Sequence, residues 1–352
     1  MAALDFMALL KEEKRKAHEA ASSKNRISSN SSSNVSAKTS LPALLASRDL
    51  PSKTIDFPSY SLTPRPKVDL DDLIVGPVPS ISYVRDFVSS SEATAICAMI
   101  EAVPEDHPRW AQLRGRRLQC WGGTPPRASS AVESTLMAPP SVQEPLPAWL
   151  STLRGALVEA GVFPGSAAPN HVLINRYENG EGILGHTDGP LYEPRTATLS
   201  LSMRYAKSSS SEEATDGDKL DESKSPPTQP LGAVMTFQRR QPTSEVGIVP
   251  GPPVACEVAL LDRSLVVFAD AAYTDHMHAI ADQSGCSNDA TMEVVAAPPP
   301  HSAGVFDTVG GCAPLANAEA TGLKSGDVLW RPAVRYSLTF RHFIHLDGPQ
   351  VD

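Results

Sequence analysis

The sequence predicts a mostly β fold, two sheets deep, with helices packed on the outside. Three observations carry this expectation. Short alternating or β-branched runs recur from residue 79 to residue 341. Two helical segments precede the densest of these runs. Glycines then punctuate the connections, as expected when strands follow one another through tight turns.

Taken in chain order, residues 4–20 read as a short helix, with Leu4, Met7, Ala8 and Leu10 on one side and Lys11 to Lys16 charged. Such a helix is a candidate for binding a protein partner. Residues 21–55 are rich in Ser, Asn and Lys and read as a disordered linker. Folded sequence is expected from about Val68. Pro79 to Phe87 alternates as a strand, and Ser90 or Ser91 caps a helix from Glu92 to Ala102. A basic stretch runs from His107 to Arg127, and a second helix from Pro147 to Ala160. Strands are expected at His171–Tyr177, Thr196–Leu201, Gly232–Phe237, Val258–Leu261, Ser264–Phe268 and Arg335–Arg341. Gly180, Gly182, Gly185 and Gly189 mark the turns after the first of these. Residues 207–230 and 281–326 read as low-complexity insertions that cannot bury a core. The expected layout is a helix and linker over 1–67, one domain over 68–345 and a tail over 346–352.

Composition narrows the function. A net charge of -9 repels nucleic acid at long range, so any such binding needs a local basic patch. Five scattered cysteines (Cys97, Cys120, Cys256, Cys286, Cys312) form no CxxC pair, which argues against a zinc knuckle or a disulfide framework. No apolar run approaches the ~20 residues needed to span a bilayer. The N-terminus lacks a basic region ahead of its apolar residues and carries Asp5, Glu12 and Glu13, unlike a secretory or mitochondrial leader. A soluble monomer without membrane contact, in the nucleus and cytoplasm, is expected.

The chemistry is concentrated in a few residues. In His186-Thr-Asp188, an imidazole and a carboxylate stand two residues apart, on one face of an extended segment. A third histidine would complete a facial set of two nitrogens and one oxygen, the ligand pattern of non-haem iron(II) oxygenases. A structural zinc site would instead want four closed ligands and more sulfur. Five histidines follow: His276, His278, His301, His342 and His345. His276 and His278 come just after an apolar strand, and periodicity alone does not choose between them. Such an iron needs a keto-acid co-substrate with two carboxylates, and dioxygen. Arg335 and Arg341, six apart on one strand face, offer the fixed positive charge. Asn175 and Tyr177 offer an amide and a phenol from another strand.

These residues resemble the AlkB family of nucleic-acid dioxygenases. Asn175-Arg-Tyr177 is similar to the family's Asn-x-Tyr strand, His186-Thr-Asp188 to its HxD, and Arg335-Tyr-Ser-Leu-Thr-Phe-Arg341 to its closing motif, with Ser337 where bacterial AlkB has Asn. Three longer stretches, from Trp110 to Gly123, Asn170 to Tyr177 and Gly180 to Tyr192, point to the subgroup of eukaryotic AlkB homologue 6. The resemblance covers about residues 75–205, 231–280 and 327–345. It implies a double-stranded β-helix, a jelly roll, and it selects His278 as the third ligand. It implies Fe(II), 2-oxoglutarate and O2, with Arg341 and Asn175 at the co-substrate end nearer the iron and Arg335 and Tyr177 at the distal carboxylate. It further implies oxidation of a methyl group on a base nitrogen, with release of formaldehyde.

The substrate side is read from His107 to Arg127. Arg109, Arg114, Arg116, Arg117 and Arg127 are interleaved with Trp110 and Trp121, with no acid between. That is the composition of a nucleotide lid on single-stranded RNA or DNA: arginines for phosphate, tryptophans for stacking a base. Trp110, Arg114, Arg116, Arg117 and Trp121 are its candidate contacts. The acidic whole chain leaves a protein or small-molecule substrate as the alternative, and a non-catalytic binder of modified nucleic acid as a third reading.

Overall fold

A computed structural model describes residues 55–113, 115–122, 144–203, 230–240, 253–283 and 306–344. The predicted 4–20 helix, most of the 21–55 linker, the insertion up to residue 229 and the tail lie outside the described residues. The strands, in chain order, are β1 (Ile81–Val84), β2 (Trp110–Leu113), β3 (Arg116–Trp121), β4 (His171–Glu178), β5 (Ile183–His186), β6 (Tyr192–Met203), β7 (Gly232–Arg239), β8 (Val254–Leu261), β9 (Leu265–Ala269), β10 (His276–Ile280), β11 (Phe306–Thr308), β12 (Val328–Trp330) and β13 (Val334–Phe343). The helices are α1 (Ser90–Glu101), α2 (Ala148–Glu159), α3 (Asp270–Thr274) and α4 (Ala318–Thr321).

Seven strands form one sheet in the order β1-β9-β6-β13-β4-β3-β2, and four form a second in the order β5-β10-β7-β8. Neighbours pair antiparallel throughout both. Phe237, Val258 and Leu260 of the smaller sheet pack against Ile81, Tyr83, Phe268 and Phe343 of the larger, which makes the two sheets a sandwich. This is the double-stranded β-helix, mostly β with flanking helices.

The period-2 pattern of the central strands decides where the helices sit. Tyr336, Leu338 and Phe340 of β13 and Val172 and Ile174 of β4 point away from the smaller sheet. They are covered by Ile96, Met99 and Ile100 of α1 and Leu150, Leu153 and Leu157 of α2. Ile96 and Ile100 are fully buried, each contributing roughly 1.5–3 kcal/mol. The other phase of the same strands carries Arg335, Ser337, Thr339 and Arg341, paired in register with Tyr177, Asn175, Leu173 and His171. The sheet is thus apolar toward its helices and polar toward its interior.

Three boundaries differ from expectation. Packed structure extends ahead of the expected start near Val68: Ile55, Phe57, Tyr60 and Leu62 pack on the helical core. Arg65 ties this segment to α1 by donating to both carboxylate oxygens of Glu92, at 3.1 Å and 2.5 Å. The α1 cap is Ser89, not Ser90 or Ser91, in a reciprocal capping box with Glu92. The expected low-complexity insertion over 281–326 is folded from Phe306 onward. There β11 and β12 form a hairpin on the outer face of the smaller sheet, with Val309, Leu323 and Leu329 buried against Val234 and Ala259. Its buried polar groups are all engaged. Asp307 accepts from the Val234 amide and from Arg331, and the Asn317 side chain bonds both backbone groups of Ala259. Glu257 accepts from the amides of Gly310, Cys312 and Ala313. This part of the chain is held by polar contacts, so apolar periodicity does not announce it.

Two predictions follow from these ion pairs. Burial by itself raises the Glu92 carboxyl, but Arg65 and the Ser89 and Thr63 amides outweigh it and hold it at about 2, below its usual 4.5. The folded value is the depressed one, so the stabilisation is full above the unfolded value and is lost as pH falls from about 4.5 toward about 2. Glu92→Gln should therefore cost roughly 2–3 kcal/mol in urea unfolding at about pH 7 and much less at about pH 3; an equal cost at both would refute the ion-pair account. Separately, Arg331 donates to Asp307 at 2.6 and 3.0 Å and also to the carbonyls of Glu181 and Ala281. Arg331→Ala strands Asp307 and should lower stability by about 3–5 kcal/mol.

Candidate metal centre and its cleft

The β4–β5 turn brings the first candidate ligand into place. Gly182 sits so close to the Ile280 and Ala281 carbonyls that a Cβ there would collide with backbone. Strand β5 then carries one extra residue relative to β10: Ile183 opposes Ile280, and His186 opposes His278. This β-bulge leaves Leu184 exposed and sets the two imidazoles side by side, tilted at 52° to each other. Their ring centroids are 4.3 Å apart.

His186, Asp188 and His278 offer ligand atoms that all lie within 4.8 Å of one another. No other such cluster of three occurs among the described residues. The geometry separates the two histidines that spacing left level. His278 packs on Phe268 and faces His186, whereas His276 turns its Nδ1 to the Ala271 carbonyl at 2.9 Å.

Each ligand is prepared for a cation. Nδ1 of His186 lies 2.8 Å from the Leu184 carbonyl, which can only accept, so this nitrogen carries the proton and Nε2 keeps its lone pair. Burial, reinforced by the neighbouring His278, lowers the His186 pKa to about 3, and burial lowers that of His278 as well. Both rings are neutral at physiological pH. Burial alone would raise the Asp188 carboxyl; Arg341, the two histidines and the Thr196 hydroxyl outweigh it and hold it at about 2. Arg341 donates to Asp188 Oδ1 at 2.9 Å and Thr196 to Oδ2 at 2.7 Å. Two neutral imidazoles and one carboxylate on one side of a cleft fit a divalent first-row metal with open positions.

A small cleft of about 50 Å³ lies beside the three ligands. It opens between the sheets, lined by Leu173, Ile183, Met235 and Ile280 among apolar groups and by Arg116, Asn175, Tyr177, Ser337, Thr339 and Arg341 among polar ones. Arg335 is not on this lining. Its guanidinium stacks 4.7 Å from the Tyr177 ring centroid and donates to Ser200 Oγ at 3.3 Å. It is 3% exposed, and burial lowers its pKa to about 10, so it stays charged. Arg341 rests over the Tyr192 ring at 4.3 Å, and its Nε has no hydrogen-bond partner among the described residues. Beneath it lies a buried group that sequence reasoning did not nominate: Tyr192 Oη, His171 Nδ1 at 3.4 Å, and Cys120 Sγ at 3.1 Å from His171 Nε2. Thr196 was also missed, although the polar phase of Thr196-Ala-Thr-Leu-Ser could have exposed it.

The expected nucleotide lid is corrected most. Trp110 and Trp121 are 7% and 5% exposed and lie in the helix-covered core. Their indole N–H groups donate to the Val103 carbonyl and Gln119 Oε1. Arg109 and Arg117 are spent on their faces, at 3.9 and 4.8 Å. Strand β3 alternates, and Trp121 falls on the outer phase. Arg116, on the inner phase, is the one described candidate of this stretch that lines the cleft. Arg114 and Arg127 lie outside the described residues.

With this geometry in hand, the chain was compared with known proteins. No known family model matches it. Over 136 residues it is 40% identical to a Danio rerio protein described as "Probable RNA/DNA demethylase ALKBH6", a stretch that is 38% of this chain and 52% of that protein. The chain spans about half the length of this curated relative. Among solved structures, OsALKBH1 gives a TM-score of 0.36 at 12% identity, over 75% of this chain and 98% of that one. A 2OG-Fe(II) oxygenase family oxidoreductase from Burkholderia pseudomallei gives 0.35 at 12%, over 76% and 85%. A Pseudomonas putida prolyl-4-hydroxylase gives 0.34 at 12%, over 78% and 97%. The fold assignment rests on the two sheets themselves. No helix among the described residues is long and apolar enough to cross a membrane.

The metal site predicts its own test. Asp188→Ala should lower the affinity for Fe(II) or Mn(II), measured by calorimetry without oxygen, by at least ~100-fold, and Thr196→Val by ~10-fold. Unchanged affinity in Asp188→Ala would remove the aspartate from the centre.

Proposed function

We propose that this chain is an Fe(II)- and 2-oxoglutarate-dependent dioxygenase that demethylates N-alkylated bases in RNA or DNA. The convergence of His186, Asp188 and His278 on one cleft is the observation that carries this reading. That the 40%-identical relative is described as a probable RNA/DNA demethylase supports the choice of nucleic acid over a protein or small-molecule substrate. One domain over 68–345, extended back to Ile55, would house the whole activity. A nuclear and cytoplasmic location follows from such a substrate, and imaging of a tagged chain tests it.

His186, Asp188 and His278 would hold the iron, and the chemistry supplied there is oxidation of a C–H bond by O2 coupled to decarboxylation of 2-oxoglutarate. One oxygen atom ends in succinate and the other in an N-hydroxymethyl group, which loses formaldehyde and leaves N–H. The chain's own residues do the rest. Asn175 and Ser337, paired across β4 and β13, offer hydrogen bonds beside the ligands. Arg341 supplies a buried positive charge that cannot be given up, since burial opposes its charge but Tyr192 and Asp188 raise its pKa beyond the usual value. Arg335 and Tyr177, at the far end of the same strand pair, would hold the second carboxylate. The apolar residues of the cleft exclude water from the reacting carbon.

Succinate formation tests this proposal. With iron, 2-oxoglutarate and air, the wild type should produce succinate, and Asp188→Ala should produce none. Arg341→Ala should raise the 2-oxoglutarate requirement by ~10-fold or more, and because the same guanidinium holds Asp188, it should weaken the metal as well. A raised metal requirement with unaltered 2-oxoglutarate dependence would confine Arg341 to the metal.

A further inference from the structure

We infer that Met235 is an oxidation site of this chain: when 2-oxoglutarate is turned over with no nucleic acid bound, the second oxygen atom goes to the Met235 sulfur and leaves a sulfoxide. This inference rests on the dioxygenase reading and adds a modification of the chain itself.

Strand register places the sulfur. Met235 on β7 pairs with Ile280 on β10, and Ile280 with Ile183 on β5. The next row on the same face holds Phe237, His278 and His186. Met235 is thus a diagonal neighbour of His278, a separation of roughly 7–8 Å that a long side chain spans. It is 5% exposed, packs between the sheets and lines the cleft together with all three candidate ligands. It is the one sulfur among the described residues of that lining. Other methionines differ from it in one respect each. Met277, next to His278 in sequence, falls on the opposite phase of β10. Met99 is buried in the helical core, away from the cleft, and Met203 is 38% exposed at the end of β6.

Chemistry makes the thioether the group that reacts. Its sulfur lone pair accepts an oxygen atom without any bond of the residue being broken. The neighbouring Leu173, Ile183 and Ile280 offer only aliphatic C–H bonds, and the Tyr177 ring lies under the Arg335 guanidinium. The electrons balance: O2 takes four, two from the decarboxylation of 2-oxoglutarate and two from the sulfur. The O–O bond and the bond between the keto and C1 carbons break, and one C–O and one S–O bond form. One oxygen atom ends in succinate and the other in the sulfoxide, with carbon dioxide released and no net proton transfer. The product puts a polar oxygen beside Ile183 and Ile280, in the apolar row of the cleft. Turnover without substrate therefore alters the cleft that carries it out.

The test is peptide-resolved mass spectrometry of the full-length protein. The chain would be loaded with Fe(II) and 2-oxoglutarate and exposed to dioxygen labelled with the heavy isotope, with catalase present and nucleic acid absent. Met235 should gain one heavy oxygen atom at least ~10-fold more often than Met203, Met277 or Met99. Asp188→Ala, or an unreactive oxalyl analogue in place of 2-oxoglutarate, should leave Met235 unlabelled. Hydrogen peroxide added to the metal-free protein should reverse the order and oxidise Met203 first, because exposure then decides. Labelling of Met203 first or equally during turnover overturns the inference, as does a Met235 sulfoxide without the heavy isotope. Peroxide oxidising Met235 as fast as Met203 overturns it too. Succinate measured on the same sample separates the two levels: none means that the dioxygenase reading itself has failed, whereas succinate with Met235 unlabelled means that only the self-oxidation has.

Discussion

The ion pair between Asp188 and Arg341 is the contact on which the rest of the site depends. Asp188 follows the edge strand of the smaller sheet, and Arg341 sits on a central strand of the larger one. Their side chains are both 5% exposed, and the 2.9 Å bond crosses the gap between the sheets. Thr196, from the larger sheet, takes the second carboxylate oxygen. The carboxylate is thereby aimed from one sheet while its backbone belongs to the other. The two histidines come from neighbouring strands of the smaller sheet, so the position of this one carboxylate fixes how the histidine pair sits over the polar face of the larger sheet. Such a buried pair is costly to break, because either charge left alone would be stranded in a low-polarity interior.

That polar face explains the architecture. An antiparallel strand in a sandwich normally turns its apolar phase toward the opposing sheet. Strands β13 and β4 turn much of theirs the other way, toward α1 and α2, and leave arginines, Asn175 and Tyr177 between the sheets. The helices are needed for this inversion. Without Ile96, Ile100, Leu150, Leu153 and Leu157 over them, Tyr336, Leu338 and Phe340 would face water. The interior is correspondingly divided. Around Phe237 and Phe268 the sheets meet through apolar contact, and beyond His278, which packs on Phe268, the interior becomes a cleft.

Alternation was legible in the sequence, and it located most strands, the arginine face of β13 and the partner face of β4. Residue type made His186, Asp188 and the later histidines visible as a set. What period-2 patterning cannot say is which phase of a strand faces a helix and which faces a ligand. For β13 the charged phase made the choice plain. For β3 both phases carry an arginine, and the tryptophans read as stacking groups although they anchor the helical layer. The segments at 55–67 and 306–330 were hidden for a different reason. Each is held by buried ion pairs and by side chains bonded to backbone, Arg65 with Glu92 and Arg331 with Asp307. Contacts between residues so far apart leave no local periodicity to read.

The choice of His278 over His276 shows how a backbone irregularity can settle what side-chain spacing leaves open. Both residues lie on one strand two positions apart, so an ideal β10 would present both to the same side. The extra residue in β5 places His186 directly across from His278. It also brings the Leu184 carbonyl within 2.8 Å of His186 Nδ1, which fixes the tautomer that leaves Nε2 available. The bulge in turn depends on Gly182, because only a residue without Cβ lets the chain enter β5 so close to the backbone after Ile280. Arg331 holds the same crossing point from outside by bonding the carbonyls of Glu181 and Ala281. A glycine, a bulge and a distant arginine thus set the register of two imidazoles, and that register makes an HxD spacing part of a three-ligand cluster.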